Sequence, residues 1–174
     1  MKIAFIGAQQ IHTTKWTNSM VDQGHEIFLI TMHPDQSLLH EKVTRYVLPI
    51  KGLVGYYLNS IFLKALLKKI SPDVVNTHYA SGYGTLARLA GSYPNLLSVW
   101  GSDVHLVPLQ SAYKRRHVQK NLAAADYLAA TGHALKEQTQ KVLGGKRPIF
   151  VTPFGVDCSV FIPRKLEAKK RGII

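Results

Sequence analysis

A chain of 174 residues is long enough for one self-sufficient domain, and its single cysteine excludes a disulfide framework. The 22 Lys+Arg against 10 Asp+Glu give a formal charge of +12, which draws anions of every kind without choosing among nucleic acid, anionic headgroups and phosphorylated substrates. No apolar run approaches the ~18 residues of a membrane span, and "MKIAFIGAQQ" lacks a secretory leader pattern, so the expected location is the cytoplasm.

Strand-like and helix-like segments alternate from end to end. Residues 2–6 form a compact apolar run closed by Gly7, and 11–23 can wind as a helix that stops at Gly24. Residues 25–31 and 45–50 are the next strands, the second near a sheet edge because Pro49 cannot donate to a ladder. The segment 52–70 carries apolar residues at 54, 57, 58, 61, 62, 65 and 66, a 3.6-residue period that predicts a helix buried along that stripe, with Lys64, Lys68 and Lys69 outside it. Strands at 73–78, 95–100, 126–131 and 148–153 alternate with helices at 84–91, 112–124 and 134–144. Seven continuous apolar strands with crossover helices predict an α/β fold, a doubly wound, mostly parallel, Rossmann-like sheet. Ligands of such sheets bind outside the carboxyl ends of the strands, so those ends are where function is sought.

After the first strand, "GAQQIHTTKW" fits neither the dinucleotide nor the P-loop glycine pattern. It offers Gly7, His12 and Thr13 at a helix start: a cradle for an anion, or a helix capped by Thr13 or Thr14. The fourth strand ends in His78 and Tyr79, with Gly82 turning the backbone into the next helix; His78 is either a proton handler or a satisfied half-buried side chain. The fifth ends in "WGSD". Gly101 permits a sharp turn, after which Ser102 and Asp103 either face the cleft, with Asp103 as the candidate catalytic carboxylate, or cap the helix or turn that follows. The sixth leads to His133 and the seventh to Gly155. The eight histidines show no metal-site spacing, so no metal is expected, and Cys158 lacks an evident base. No nucleic-acid-binding motif accompanies the charge, so no nucleic-acid partner is expected. Basic residues cluster at Lys114, Arg115, Arg116 and Lys120 and in the tail "RKLEAKKRGII".

Five phrases in order resemble the N-terminal half of family 4 glycosyltransferases: "MKIAFIG…IHTTKWTNSMVDQGHEIFLIT", "SPDVVNTHYASGYGTLARLAG", "SVWGSDVHLVP", "AADYLAATGHALKEQ" and "VTPFGVDCSVFIP". Trp100 stands where the family often has His, and His133 where it usually has Ser; an indole can only donate, so Trp100 cannot act as a base. The resemblance implies a GT-B architecture, retention of anomeric configuration and no obligatory metal or other cofactor. It implies that residues 1–163 are the acceptor-side domain and 164–174 a basic linker or tail. The nucleotide-sugar donor would then be a substrate held mainly by a second domain or partner chain, and the segment alone would transfer nothing. Gly7, His12, Asp103 and Gly155 carry over by position. The implied acceptor is a glycan or lipid-linked glycan; the helix at 52–70 and the basic cluster at 114–120 either rest peripherally on anionic membrane at its inner face or are a helix packed on the sheet with solvated lysines. Two other readings stay open: a non-catalytic sugar-binding or partner subunit, and a flavodoxin-like regulatory or nucleotide-binding domain.

Overall fold

The computed structural model describes residues 1–35, 38–91, 93–156, 158 and 162. Strands β1 (Lys2–Ile6), β2 (Glu26–Thr31), β3 (Thr44–Val47), β4 (Val74–His78), β5 (Asn95–Val99), β6 (Tyr127–Ala130) and β7 (Ile149–Val151) form one seven-stranded sheet. All pairs are parallel, in the order β3-β2-β1-β4-β5-β6-β7. The chain runs outward from β1 through β2 to β3, then returns to β4 on the other flank of β1. The strand order therefore reverses between β1 and β4, which opens a crevice beyond their carboxyl ends. β3 is indeed the edge strand, and Pro49 falls just beyond it.

Side chains alternate across the sheet and build two layers of core. Ile3, Phe5, Ile27 and Leu29 pack under α1 (Ile11–Asp22), together with Val21 and Trp16. Ala4, Ile6, Phe28, Ile30 and Val75 face the other way, against α2 (Gly52–Ile70) and α3 (Gly82–Ala90). The β5–β7 flank has its own cluster with α6 (Ala112–Ala124) and α7 (His133–Leu143). Two short helices, α4 (Ser102–His105) and α5 (Val107–Gln110), lie between β5 and α6, where the sequence left a helix or a turn open.

One expectation is overturned. The apolar stripe of α2 is not its core face: Val54, Tyr57, Leu58, Ile61 and Phe62 are exposed, and so is Ala65. The helix buries Gly55, Asn59, Leu63, Leu67 and Ile70 instead. The period is right and the phase is half a turn off. Asn59 can be buried because its Nδ2 donates to the Ile50 carbonyl at 2.7 Å while its Oδ1 accepts from the Ile50 N–H at 3.2 Å. Gly55 must face inward, since a Cβ there would sit 2.3 Å from the Ile50 carbonyl oxygen. These two contacts lock the helix to the segment that precedes it.

Candidate functional site

At the carboxyl ends of β1, β4, β5 and β7, five rings from four separate segments converge. His12, near the start of α1, stacks on Phe154 with centroids 3.9 Å apart and planes 9° apart. Trp100 meets Phe154 edge-on at 5.1 Å and His78 at 4.7 Å. Trp16, one turn along α1 from His12, closes on His78 at 5.5 Å. The crevice expected from topology is thus walled by aromatic side chains, the surface on which sugar rings and apolar groups stack well.

His78 ends β4 and is 1% exposed. The Thr13 hydroxyl pairs with its Nδ1 at 3.2 Å, and Gly7 lies so close that a Cβ there would approach the His78 Cβ to 3.0 Å. Burial pushes the imidazole pKa down to about 3, so the ring is neutral at physiological pH. Among the described residues its Nε2 finds no hydrogen-bond partner, and neither does the buried Nε1 of Trp100. Buried polar atoms are rarely left unpaired, and two in contacting rings mark a place built to receive a polar group. Both rings line a hollow of about 310 Å³, with Tyr79, Gly82, Tyr83, Tyr56 and His33 among its other walls. A larger hollow of about 490 Å³ lies at the opposite, amino ends of β4–β6, lined by residues such as Val75, Asn95 and Tyr127. None of the unpaired buried atoms found among the described residues lines it, and it is on the wrong side of the sheet for the ligand rule.

Asp103 does not face the crevice. Its side chain turns inward and is fully buried. Oδ2 accepts from the Ala80 N–H at 2.8 Å, and Oδ1 from the Gly101 and Trp100 N–H groups at 2.8 and 3.2 Å. Burial pushes its carboxyl above the usual range, while these backbone donors pull the other way. The carboxylate clamps the β5 loop to the β4 loop, and that clamp sets the position of Trp100 relative to His78. Gly101, at φ +140°, occupies a backbone region that side chains resist and so makes the turn possible. Tyr79 is held at φ +80° without being glycine, and its hydroxyl meets the Ser102 hydroxyl at 2.8 Å. Such strain is tolerated where surrounding contacts over-determine the loop.

The other expected site residues fall into place unevenly. Thr13 and Thr14 do not cap α1: they lie inside its first turn and are buried, and the cap residue Gln10 makes no side-chain bond. The Gly7 N–H is bonded to the Ile30 carbonyl at 3.2 Å, so its part in an anion cradle is replaced by close packing on His78. Gly82 is needed because a Cβ would strike the Tyr56 ring at 2.5 Å. His133 opens α7 and is exposed, outside the ring cluster, and Gly155 follows Phe154 with φ +68°. Asp157, Phe161, Pro163 and the tail 164–174 lie outside the described residues. Trp16, Phe154, Tyr56 and His33, whose Nδ1 pairs with the Tyr83 hydroxyl at 2.8 Å, were not singled out from the sequence, whereas Tyr83 stood beside Tyr79 there as a residue able to stack on a sugar. A signal existed for Trp16, four residues after His12 on one helix face. Among the described residues, no group of three or more His, Cys, Asp or Glu gathers to hold a metal ion.

Residues 2–132 match the family described as glycosyl transferase 4-like. A Bacillus subtilis (strain 168) protein named for a glycosyltransferase role in teichuronic acid biosynthesis, TuaC, is 26% identical over 106 residues, which are 59% of this chain and 27% of that protein. Sucrose-phosphate synthase from Thermosynechococcus elongatus superposes with a TM-score of 0.72 at 16% identity, over 94% of this chain and 50% of that one. A UDP-N-acetylglucosamine 2-epimerase gives a TM-score of 0.60 at 16% identity, over 87% of this chain and 48% of that one. At such identities these structures bear on the fold, which is the Rossmann-like half of a GT-B architecture. The chain spans about half the length of each of them and about a quarter of TuaC.

Proposed function

From the premise that the chain belongs to the glycosyl transferase 4-like family, we propose that it is the acceptor-side domain of a retaining glycosyltransferase, one that moves a hexosyl unit from a nucleotide-sugar to a hydroxyl of a glycan or lipid-linked glycan. The observation that carries this reading is the pair of unpartnered buried atoms, His78 Nε2 and Trp100 Nε1, on two contacting rings that line one aromatic-walled hollow at the strand-order reversal. A sugar hydroxyl both donates and accepts, so it can satisfy the indole N–H and the free imidazole position together. Because His78 is neutral, it brings no charge into competition with a diphosphate leaving group. The rings of His12, Phe154 and Trp100 give the acceptor an apolar wall and exclude water from the reacting hydroxyl. Asp103 acts in this scheme as a positioning residue through the backbone of Trp100 and Gly101, and the catalytic base is left unassigned. The donor is held mainly by a second domain, which supplies the cations and oriented N–H groups that stabilise the leaving diphosphate. The name of the relative TuaC supports a cell-envelope glycan as the acceptor class.

The test is sugar transfer by the chain joined to a donor-binding second domain. Trp100→Phe removes one donor and keeps a ring. The acceptor KM is expected to rise about tenfold, the cost of one lost hydrogen bond, with the donor KM unchanged. A rise in the donor KM alone would place the nucleotide-sugar, rather than the acceptor, in this hollow.

A further inference from the structure

The misplaced stripe of α2 leaves an apolar face with no partner in the fold. Leu53 is 82% exposed and Ile61 74%, with Val54, Leu58 and Phe62 between and beside them. Scattered exposed leucines are ordinary, but five on one side of one helix form a continuous patch, and such patches mark interaction surfaces. The helix is pinned to the sheet by Leu63, Leu67 and Ile70, so only its outer side can meet anything else. No helix among the described residues is long and apolar enough to cross a membrane.

The two helices that meet at the patch, α2 and α6, carry cations and no acid. Residues 42–72 contain no Asp or Glu, and Lys64, Lys68 and Lys69 continue the outer side of α2 beyond the apolar turns. The neighbouring α6 abuts the patch through His117, whose ring lies 6.2 Å from Tyr57 on α2 and 6.1 Å from the exposed Tyr113. It presents Lys114, Arg115, Arg116 and Lys120, and residues 104–125 likewise contain no acid. An apolar strip with interfacial tyrosines and a purely basic border complements an anionic bilayer surface. A second copy of the chain would bring the same cations against one another. The position relative to the hollow fits as well: Tyr56, on the next residue to the outward Tyr57, lines the hollow and packs over Gly82.

We propose that the outer face of α2, with the basic edge of α6, docks the protein on an anionic lipid bilayer, so that the hollow at His78 and Trp100 opens beside the headgroups and receives a lipid-linked acceptor there. The choice of acceptor rests on the function proposed above, whereas the docking itself does not.

Vesicle flotation tests it, with phosphatidylcholine alone and with one-third phosphatidylglycerol added. The chain is expected to float with the anionic vesicles and to be released by high salt. Ile61→Asn with Phe62→Ser should lower the bound fraction at equal lipid at least tenfold, as should the triple change of Lys114, Arg115 and Arg116 to Gln. Lys15→Gln, on α1 across the sheet, should change nothing. Unchanged melting curves are expected for all three, since the replaced side chains are exposed. Absence of flotation by the unaltered chain overturns the proposal, as does undiminished flotation of the α2 variant. Sedimentation showing a dimer that the α2 variant dissolves, with no vesicle binding, would assign the face to a second copy instead. No donor or acceptor enters the assay, so its failure leaves the reading of the hollow to be judged by transfer kinetics.

Discussion

Asp103→Ala is expected to lower the thermal midpoint by roughly 6–12 °C, making this carboxylate the most costly polar side chain of the site to remove. Three backbone N–H groups, those of Ala80, Trp100 and Gly101, lose their acceptor at once. Each orphaned donor costs about 1–3 kcal/mol when shielded from water, so a loss of at least ~3 kcal/mol follows, out of the 5–15 kcal/mol typical of whole domains. In a chain of this size about 1 kcal/mol moves the midpoint by 2–4 °C. Asp103→Asn should fall between: its remaining oxygen still accepts from Gly101 and Trp100, while its amide confronts the Ala80 N–H. Thermal melts by circular dichroism decide the matter. An Asn variant as stable as the parent yet without transfer activity would return Asp103 to the role of a reagent.

The second large effect is a pH dependence set by His78. Its ordinary pKa of 6.5 holds in the unfolded chain, while burial lowers it to about 3 in the folded protein. Above pH ~6.5 both states are neutral at this ring, and it contributes no pH dependence. As pH falls below that value, the unfolded chain takes up a proton that the folded chain refuses. Stability therefore drops with acidification, at up to about 1.4 kcal/mol per pH unit, until pH nears 3. Chemical denaturation measured between pH 7 and 4 should show this slope in the parent and a shallower one in His78→Asn. Equal slopes in the two proteins would mean that the buried ring is already protonated in the folded state.

Much of the architecture was legible because continuous β-branched runs bounded by Gly and Pro admit few alternatives. The edge position of β3 was expected from Pro49, although the proline lies two residues past the strand's end. The convergence of strand ends on one crevice followed from topology, and His12, His78 and Trp100, named from those ends in the sequence, do lie in ring contact there. The phase of α2 was not legible. Its period is the same whichever side faces in, and the choice was made by Asn59 and Gly55 through contacts with Ile50, a backbone neighbour that periodicity does not see. The direction of Asp103 stayed open for a related reason: a short acid after Gly serves a cleft or a turn with the same letters. Only the Ala80 N–H, 23 residues earlier, decides between them. Phe154 needed the end of β7 to be folded against α1 before its stacking on His12 could appear.

What enters the hollow between His78 and Trp100 decides the function of this domain. The chain has two tryptophans, so the indole N–H signal of Trp100 can be assigned by comparison with Trp16→Phe and followed by nitrogen-edited NMR. Titration with a water-soluble, short-chain lipid-linked sugar should shift the Trp100 indole signal downfield as it gains a hydrogen-bond acceptor, and a nucleotide-sugar at the same concentration should leave it in place. An indole signal that ignores the acceptor and responds to the nucleotide-sugar would contradict the acceptor-side assignment.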